Sequence, residues 1–240
     1  MSNTIPLEYE KYYHIYNRGI NGCELFRKKA DYEYFFRLYD KYILLVADIF
    51  AWVLMGNHFH FLVRIKSKNE IGYLLPLNNQ NSSVSSDYGR FLATKKWKTE
   101  IPNKGLGRAN KNENTGKENL KKPVPHRQFA HLFNSYSKYY NNKYNRTGSL
   151  FEKNFKRISI EKENYLRYLI YYIHHNPIHH GFVENMNKYP WSSYLTIVSP
   201  TQTRLKRKEV IEWFDNIENL CFFHKQQHEM DSIKDYLIDY

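Results

Sequence analysis

The chain has 240 residues and a formal net charge of +12, from 36 Lys and Arg against 24 Asp and Glu. Its 42% of hydrophobic residues suffice for a folded core, but no apolar run reaches the roughly 20 residues that span a bilayer. Two cysteines cannot form the disulfide framework that is typical of small secreted proteins. Together these observations exclude the membrane, secreted and disordered classes of protein. We expect a cytoplasmic protein, and its positive charge indicates an anionic partner.

The first part of the chain predicts a strand, a helix and a β-hairpin. Alternating and continuous apolar runs indicate the strands, and helical spacing of aromatic residues indicates the helix, for which Asp31 is the expected N-cap. In chain order these are a strand at 12–16 ended by a turn at 17–19, a helix at 31–45, a strand at 49–55, a turn at 56–57 and a strand at 58–65.

The second part predicts further helices around a polar insert. Residues 98–125 are dominated by Asn, Lys, Gly and Pro, which is typical of a long mobile loop. The other predicted elements are a connection at 78–86, a strand at 157–160, and helices at 88–97, 128–140, 162–175 (ending before Pro177), 208–220 and 230–237.

This order of elements predicts an α+β fold, a ferredoxin-like antiparallel sheet with helices packed on one face. We expect one domain at 1–198, with a basic flexible insert at about 98–127, and a helical C-terminal extension at 199–240.

The excess charge is confined to one stretch. Residues 95–160 contain 16 Lys and Arg but only four Glu, which accounts for the whole +12. Basic residues interleaved with Tyr, Phe and Trp can follow phosphates and stack on bases. For residues 104–122 alone, a solvated surface loop is an equally good interpretation.

His58 and His60 form the first candidate site. In a strand, residues two apart point to the same face, so the two imidazoles would lie side by side and could hold one divalent cation. The pattern His-x-His is also common as a surface or core pair. Leu62 and Val63 occupy the positions where one class of metallo-hydrolases has further ligands.

Tyr172 and Asn176 form the second candidate site. They are four residues apart and so share one face of a helix, on which Tyr168 lies one turn earlier. A tyrosine beside a polar metal ligand could act as a covalent nucleophile, although with 22 tyrosines most must be packing residues.

Five ordered segments resemble the single-tyrosine HUH transposases, and in particular the branch associated with repetitive extragenic palindromes (REP). They extend over about residues 10 to 198 and are 13–19, 52–63, 146–156, 172–181 and 189–194. Gly56 stands where that family usually has proline, and the insert at 98–127 is longer than expected.

The resemblance implies a role for each matching residue. His58, His60 and Asn176 match the metal ligands and Tyr172 the nucleophile, with Tyr171 as the rival and Tyr168 a more distant one. The implied activity is cleavage and rejoining of single-stranded DNA near a hairpin, with Mg or Mn and a 5′-phosphotyrosine intermediate. DNA-binding candidates are Asn17, Arg18, Arg146, Lys153, Lys156 and Arg157.

Several alternatives stay open at this point. The chain could be a hairpin-binding or single-strand-binding protein of the same fold without chemistry, or a hydrolase that uses metal-bound water. His174 or His175 could replace Asn176, relay a proton or simply pack. The protein could be a monomer or a homodimer, one chain's tyrosine helix serving the other's histidines, and nucleoid-associated within the cytoplasm.

Overall fold

The structure, a computed structural model, describes residues 6–74, 97–98, 122–162 and 164–228. The strands are β1 Tyr12–Arg18, β2 Ala47–Leu54, β3 His58–Ile65, β4 Tyr73–Leu74, β5 Trp97–Lys98 and β6 Lys156–Ile160. The helices are α1 Lys29–Tyr42, α2 Pro125–Lys143, α3 Asn164–His179, α4 Tyr194–Val198, α5 Arg207–Glu212 and α6 Ile217–Lys225.

A four-stranded antiparallel sheet in the order β2-β3-β1-β6 organises the fold. The connection from β1 through α1 to β2 skips β3, and the connection from β3 through α2 to β6 skips β1. These two interleaved split β-α-β units are the ferredoxin-like arrangement, so the predicted fold class is confirmed.

The alternation of side chains along β3 gives the sheet two different faces. Phe59 and Phe61 are fully buried on one face, where their rings lie 5.5 and 6.2 Å from that of Phe35 on α1. Burial of each ring contributes about 2–3 kcal/mol. The prediction of helices on one face holds for α1 and α2, whereas α3 lies against the opposite face with His58 and His60.

β1 and α1 differ in detail from the sequence prediction. β1 continues through Arg18 instead of turning at 17–19, because Asn17 and Arg18 are paired with Phe59 and His58 of β3. Asp31 is the third residue of α1 rather than its N-cap. Its carboxylate accepts hydrogen bonds of 2.9 Å from the backbone N–H groups of Arg27 and Lys28, and thereby caps the helix from inside.

The prediction that the tyrosine helix ends before Pro177 was wrong. α3 runs to His179 with Pro177 inside it, and Gly181 at φ +70° follows as the residue that ends it. Proline removes one backbone donor, but the bond of 3.0 Å from His180 N–H to the Asn176 carbonyl continues the helical pattern. Asn176 therefore lies within the helix, one turn beyond Tyr172.

The C-terminal segment also differs from the prediction. The expected helix at 208–220 is two helices, α5 and α6, separated at Asp215, which has φ +68°. Leu205, Val210 and Leu220 belong to the same core as the sheet, and the boundary proposed at 198 stays a prediction. The expected helix at 230–237, residues 88–96 and most of the basic insert lie outside the described residues, while residue 97 is in β5.

Within the described part of the chain, no helix is both long enough and apolar enough to cross a membrane.

Candidate active site

Backbone hydrogen bonds from the segment that follows β1 fix the turn between β2 and β3. The Gly56 carbonyl accepts from the N–H groups of Leu25 and Phe26 at 2.7 and 3.0 Å, and the Asn57 carbonyl accepts from Gly19 N–H at 2.8 Å. A side chain at Gly19 would place its Cβ 1.9 Å from a backbone oxygen, so only glycine allows this approach. The first residue of β3, His58, is thus fixed by backbone contacts.

His58 has a polar partner on each ring nitrogen. Its Nδ1 lies 2.7 Å from Asn57 Oδ1 and its Nε2 lies 3.1 Å from Asn176 Oδ1. Burial lowers the His58 pKa to about 4, although the contact with Asn176 acts in the other direction, so the ring is neutral at pH 7. A neutral imidazole carries one hydrogen, so His58 can donate to only one of these two amide oxygens, and with the hydrogen on Nδ1 the lone pair of Nε2 is available to a metal.

His60 is held by a residue of the neighbouring strand. Its Nδ1 lies 2.9 Å from Nε2 of His14, and neither side chain is exposed. Burial, and then the nearby His14 and His58, place the pKa of His60 well below its usual range. Tyr16 stacks on the same ring with centroids 5.9 Å apart, and burial raises the Tyr16 pKa to about 12.

Tyr172 is the tyrosine of α3 that faces these histidines. Its half-buried ring meets those of His60 and His14 edge-on, at centroid distances of 5.5 and 6.0 Å. Tyr171 instead donates its hydroxyl to the Gln226 carbonyl at 3.1 Å, and the Tyr168 ring lies 5.4 Å from Phe223. Both of the rival tyrosines therefore pack against the C-terminal segment.

His174 and His175 also face away from the strand histidines. His174 is fully buried, with Nδ1 2.9 Å from His224 Nε2 and Nε2 2.7 Å from Ser193 Oγ. The Nε2 atom of His175 lies 2.9 Å from the His224 carbonyl, and its ring stacks on Tyr171 at 3.9 Å. The sequence left His174 and His175 three possible roles: metal ligand, proton relay or packing residue. These contacts are those of packing residues.

The spacing of the site residues matches between the helix and the strand, because one helical turn and two strand residues advance by similar distances. Four residues of helix advance about 6 Å, and two residues of strand advance about 6.7 Å. Tyr172 therefore lies over His60, while Asn176 lies over His58. His180, the next residue in this series, places its ring 5.0 Å from that of His58.

The predicted DNA-binding residues divide between the two faces of the sheet. Arg18 is paired with His58, and Lys156 is paired with Tyr16. Both therefore lie on the face of the sheet that is next to Tyr172. Asn17 and Arg157 lie on the other face, where they line a cavity of about 710 Å³ beside α2. Arg146 donates to Asn141 Oδ1 at 3.3 Å near the end of α2, and Lys153 is exposed.

The side chains at the site fit a divalent cation with nitrogen and oxygen ligands. His58 and His60 are neutral, as metal binding requires, and Asn176 is 1% exposed with no hydrogen-bond partner for its Nδ2 among the described residues. With the His58 hydrogen on Nδ1, a cation between His58 Nε2 and Asn176 Oδ1 would be bound by a lone pair of each atom. No cluster of three His, Cys, Asp or Glu side chains suited to a metal occurs in the described part of the chain.

Four residues of this site had no assigned role in the sequence analysis: His14, Tyr16, Asn57 and His180. The period of two along β1 already places His14 and Tyr16 on one face. That this face is the one of His58 and His60 depends on the pairing of β1 with β3, which the sequence pattern does not reveal.

No family model matches the chain, and no curated protein matches it. One solved structure, of a REP-associated tyrosine transposase bound to a REP hairpin, has 13% sequence identity and a TM-score of 0.47, and the match covers 83% of this chain and 86% of that chain.

Proposed function

We propose that the chain is a metal-dependent single-stranded DNA endonuclease and strand transferase whose nucleophile is Tyr172. The observation that carries the proposal is the placement of one helical face over two strand histidines. The Tyr172 ring lies 5.5 Å from His60, and Asn176 Oδ1 lies 3.1 Å from His58. This placement supports the proposal, because the proposed nucleophile and the three proposed cation ligands lie on one face of the sheet with Arg18 and Lys156.

Each side chain has a definite task in this reaction. The Tyr172 hydroxyl loses its proton as its oxygen bonds to phosphorus and the bond to the 3′ oxygen breaks, and the departing oxygen takes up one proton to become a 3′-hydroxyl, so that the protons balance. The resulting 5′-phosphotyrosine keeps the phosphodiester activated, so that another 3′-hydroxyl can attack it and release Tyr172. Arg18 and Lys156, on the same face, are placed to attract the phosphates of the strand.

His58, His60 and Asn176 would hold the cation, which we propose to be Mn²⁺ or Mg²⁺. When bound, the cation neutralises charge on the phosphate oxygens and so assists a phenol that is a weak nucleophile at neutral pH. Asn57 Oδ1 lies 2.7 Å from His58 Nδ1, and His14 Nε2 lies 2.9 Å from His60 Nδ1. These two contacts orient the imidazoles. Two imidazole nitrogens favour Mn²⁺ over Mg²⁺, which prefers oxygen ligands.

The test is the formation of a covalent adduct. The protein is incubated with Mn²⁺ or Mg²⁺ and a labelled library of single-stranded hairpins with random flanks, and adducts are separated on a denaturing gel. We expect an adduct with the wild-type chain and with Tyr171→Phe, and none with Tyr172→Phe. The matched control is Tyr171, because it adjoins Tyr172 on α3 and carries the same hydroxyl towards the C-terminal segment.

Three other outcomes would replace the proposal. An adduct that persists in Tyr172→Phe and vanishes in Tyr171→Phe would assign the nucleophile to Tyr171. Cleavage without any adduct would favour hydrolysis by water. Hairpin binding with neither cleavage nor adduct, for every flank and both metals, would favour the alternative function, a non-catalytic protein that binds hairpin or single-stranded DNA. We propose single-stranded DNA with a hairpin as the partner in either case.

A further inference from the structure

A cavity of about 370 Å³ opens beside His58, on the side away from Tyr172. Its walls include the turn at Gly56 and Asn57, together with Arg18, His180 and Phe182. The volume lies within the range of roughly 300–1,000 Å³ that is usual for small-ligand pockets. The reaction described above uses His58 but leaves the space next to it without a role.

Phe182 supplies an exposed aromatic surface at this cavity. Its side chain is 54% exposed, although its backbone is fixed by a bond of 2.9 Å from its N–H to the Pro177 carbonyl. The other large apolar side chains that are exposed in the described part of the chain, Val124, Leu195 and Phe222, do not line the cavity. An exposed ring on a fixed backbone is a surface on which a nucleic-acid base can stack.

Arg18 brings a positive charge to the same cavity. Its Nη2 lies 3.4 Å from the point that a Cβ on Gly22 would occupy, so the guanidinium lies at van der Waals distance from this turn. Arg18 Nε also lies 3.4 Å from Glu152 Oε1, which limits its movement. Glu24 is the acidic side chain at the cavity, and its carboxylate pairs with Arg27 at 3.4 Å.

The position of the cavity indicates which nucleotide it takes. Tyr172 lies over His60, and the cavity adjoins His58, so the attacking oxygen and the cavity are on opposite sides of the proposed cation ligands. In phosphoryl transfer the attacking and leaving oxygens are roughly in line across the phosphorus. The leaving 3′ oxygen, and the nucleoside that carries it, therefore point towards the cavity.

We propose that this cavity is a binding subsite for the nucleoside on the 3′-oxygen side of the scissile phosphate. Its base stacks on Phe182, Arg18 contacts phosphate oxygens, and His180 lies against the sugar. The orientation depends on the proposed function, whereas the stacking surface and the charge belong to the cavity itself. Affinity for the nucleotide before the cut then depends on Phe182, whichever base that nucleotide carries.

The test measures binding of small probes and needs no cleavage. Each of the four 2′-deoxynucleoside 3′-monophosphates is titrated into the full chain with Mn²⁺, and the matching 5′-monophosphates are titrated in parallel, with dissociation constants read from isothermal calorimetry. The variants are Phe182→Leu, which removes the ring, and Phe182→Tyr, which keeps it. Phe222→Leu is the matched control, since Phe222 is 63% exposed and lies on α6, away from the cavity.

We expect Phe182→Leu to weaken the 3′-monophosphates by roughly 5- to 100-fold, as for loss of one base-stacking contact. Phe182→Tyr and Phe222→Leu should bind as the wild type does, and the 5′-monophosphates should not respond to Phe182. Equal binding of 3′-monophosphates to the wild type and Phe182→Leu, or equal loss in Phe222→Leu, would overturn the subsite. If the affinity for the 3′-monophosphates depends on Phe182 but no phosphotyrosine adduct forms on hairpin DNA, the stacking cavity is retained and the proposed reaction is rejected. If an adduct forms but this affinity does not depend on Phe182, the reaction is retained and the subsite is rejected.

Discussion

Replacement of His14 by Phe tests whether the outer contact of His60 prepares it for a metal. His14 Nε2 lies 2.9 Å from His60 Nδ1 and is fully buried, so Phe fills similar space but leaves the His60 nitrogen without its partner. An unmet hydrogen bond of this kind costs about 1–3 kcal/mol. We therefore expect Mn²⁺ affinity to fall by roughly 10- to 100-fold, the usual range for such outer contacts.

The assay is a Mn²⁺ titration followed by electron paramagnetic resonance, which requires no DNA and no turnover. His14→Gln, which can still hydrogen-bond to His60, should recover most of the affinity, and Tyr172→Phe should keep all of it. Circular dichroism checks that each variant is folded. A folded His14→Phe chain that binds Mn²⁺ as tightly as the wild type would refute the assignment of His60 as a ligand oriented by His14.

Three further predictions concern pH, charge and packing. Burial lowers the His224 pKa from 6.5 to about 4. Only the unfolded chain then takes up a proton in that interval, so about 3 kcal/mol of stability, present above pH 6.5, is lost as pH falls to about 4. In thermal melts, His224→Asn should reduce this slope. Lys156→Gln should weaken single-strand binding and lower the salt slope by about 0.7, measured by fluorescence anisotropy. Lys29→Gln, on α1 across the sheet, should do neither. Asp31→Ala should cost about 2–5 kcal/mol in urea unfolding, because the N–H groups of Arg27 and Lys28 lose their cap and the Tyr144 hydroxyl loses a charged acceptor at 2.7 Å.

Sequence patterns predicted most of the sheet because each strand satisfies a local rule. The apolar run before Gly56 and the alternation after it predict the hairpin, and the pairing of β2 with β3 agrees with it. The same local rules misplaced the end of β1. Asn17, Arg18 and Gly19 favour a turn, but β3 pairs with Asn17 and Arg18, and the Arg18 carbonyl also accepts from Glu152 N–H, which keeps both residues extended. Tertiary pairing outweighed local preference there.

The candidate site was harder to predict, because it depends on which faces meet. The spacing of Tyr172 and Asn176 was correct only if the helix continued to Asn176, and the structure extends it past Pro177. Tyr168 has the same spacing, yet it packs on Phe223, since successive residues four apart drift around the helix. The charge of Arg157 and the motif around Asn17 do not tell on which face of the sheet these residues lie. Strand pairing places both on the face opposite Tyr172.

The contacts of α3 with the C-terminal segment affect how the protein can be shortened. One side of α3 carries Tyr172, and the other is covered by α6 through the bond between His174 and His224 and that from Tyr171 to the Gln226 carbonyl. A fragment ending at residue 198 would uncover this second side and expose the imidazole of His174, which is buried in the full chain. The smallest unit that keeps the tyrosine helix fully packed therefore reaches at least Gln226, well past the last motif that resembles a known family.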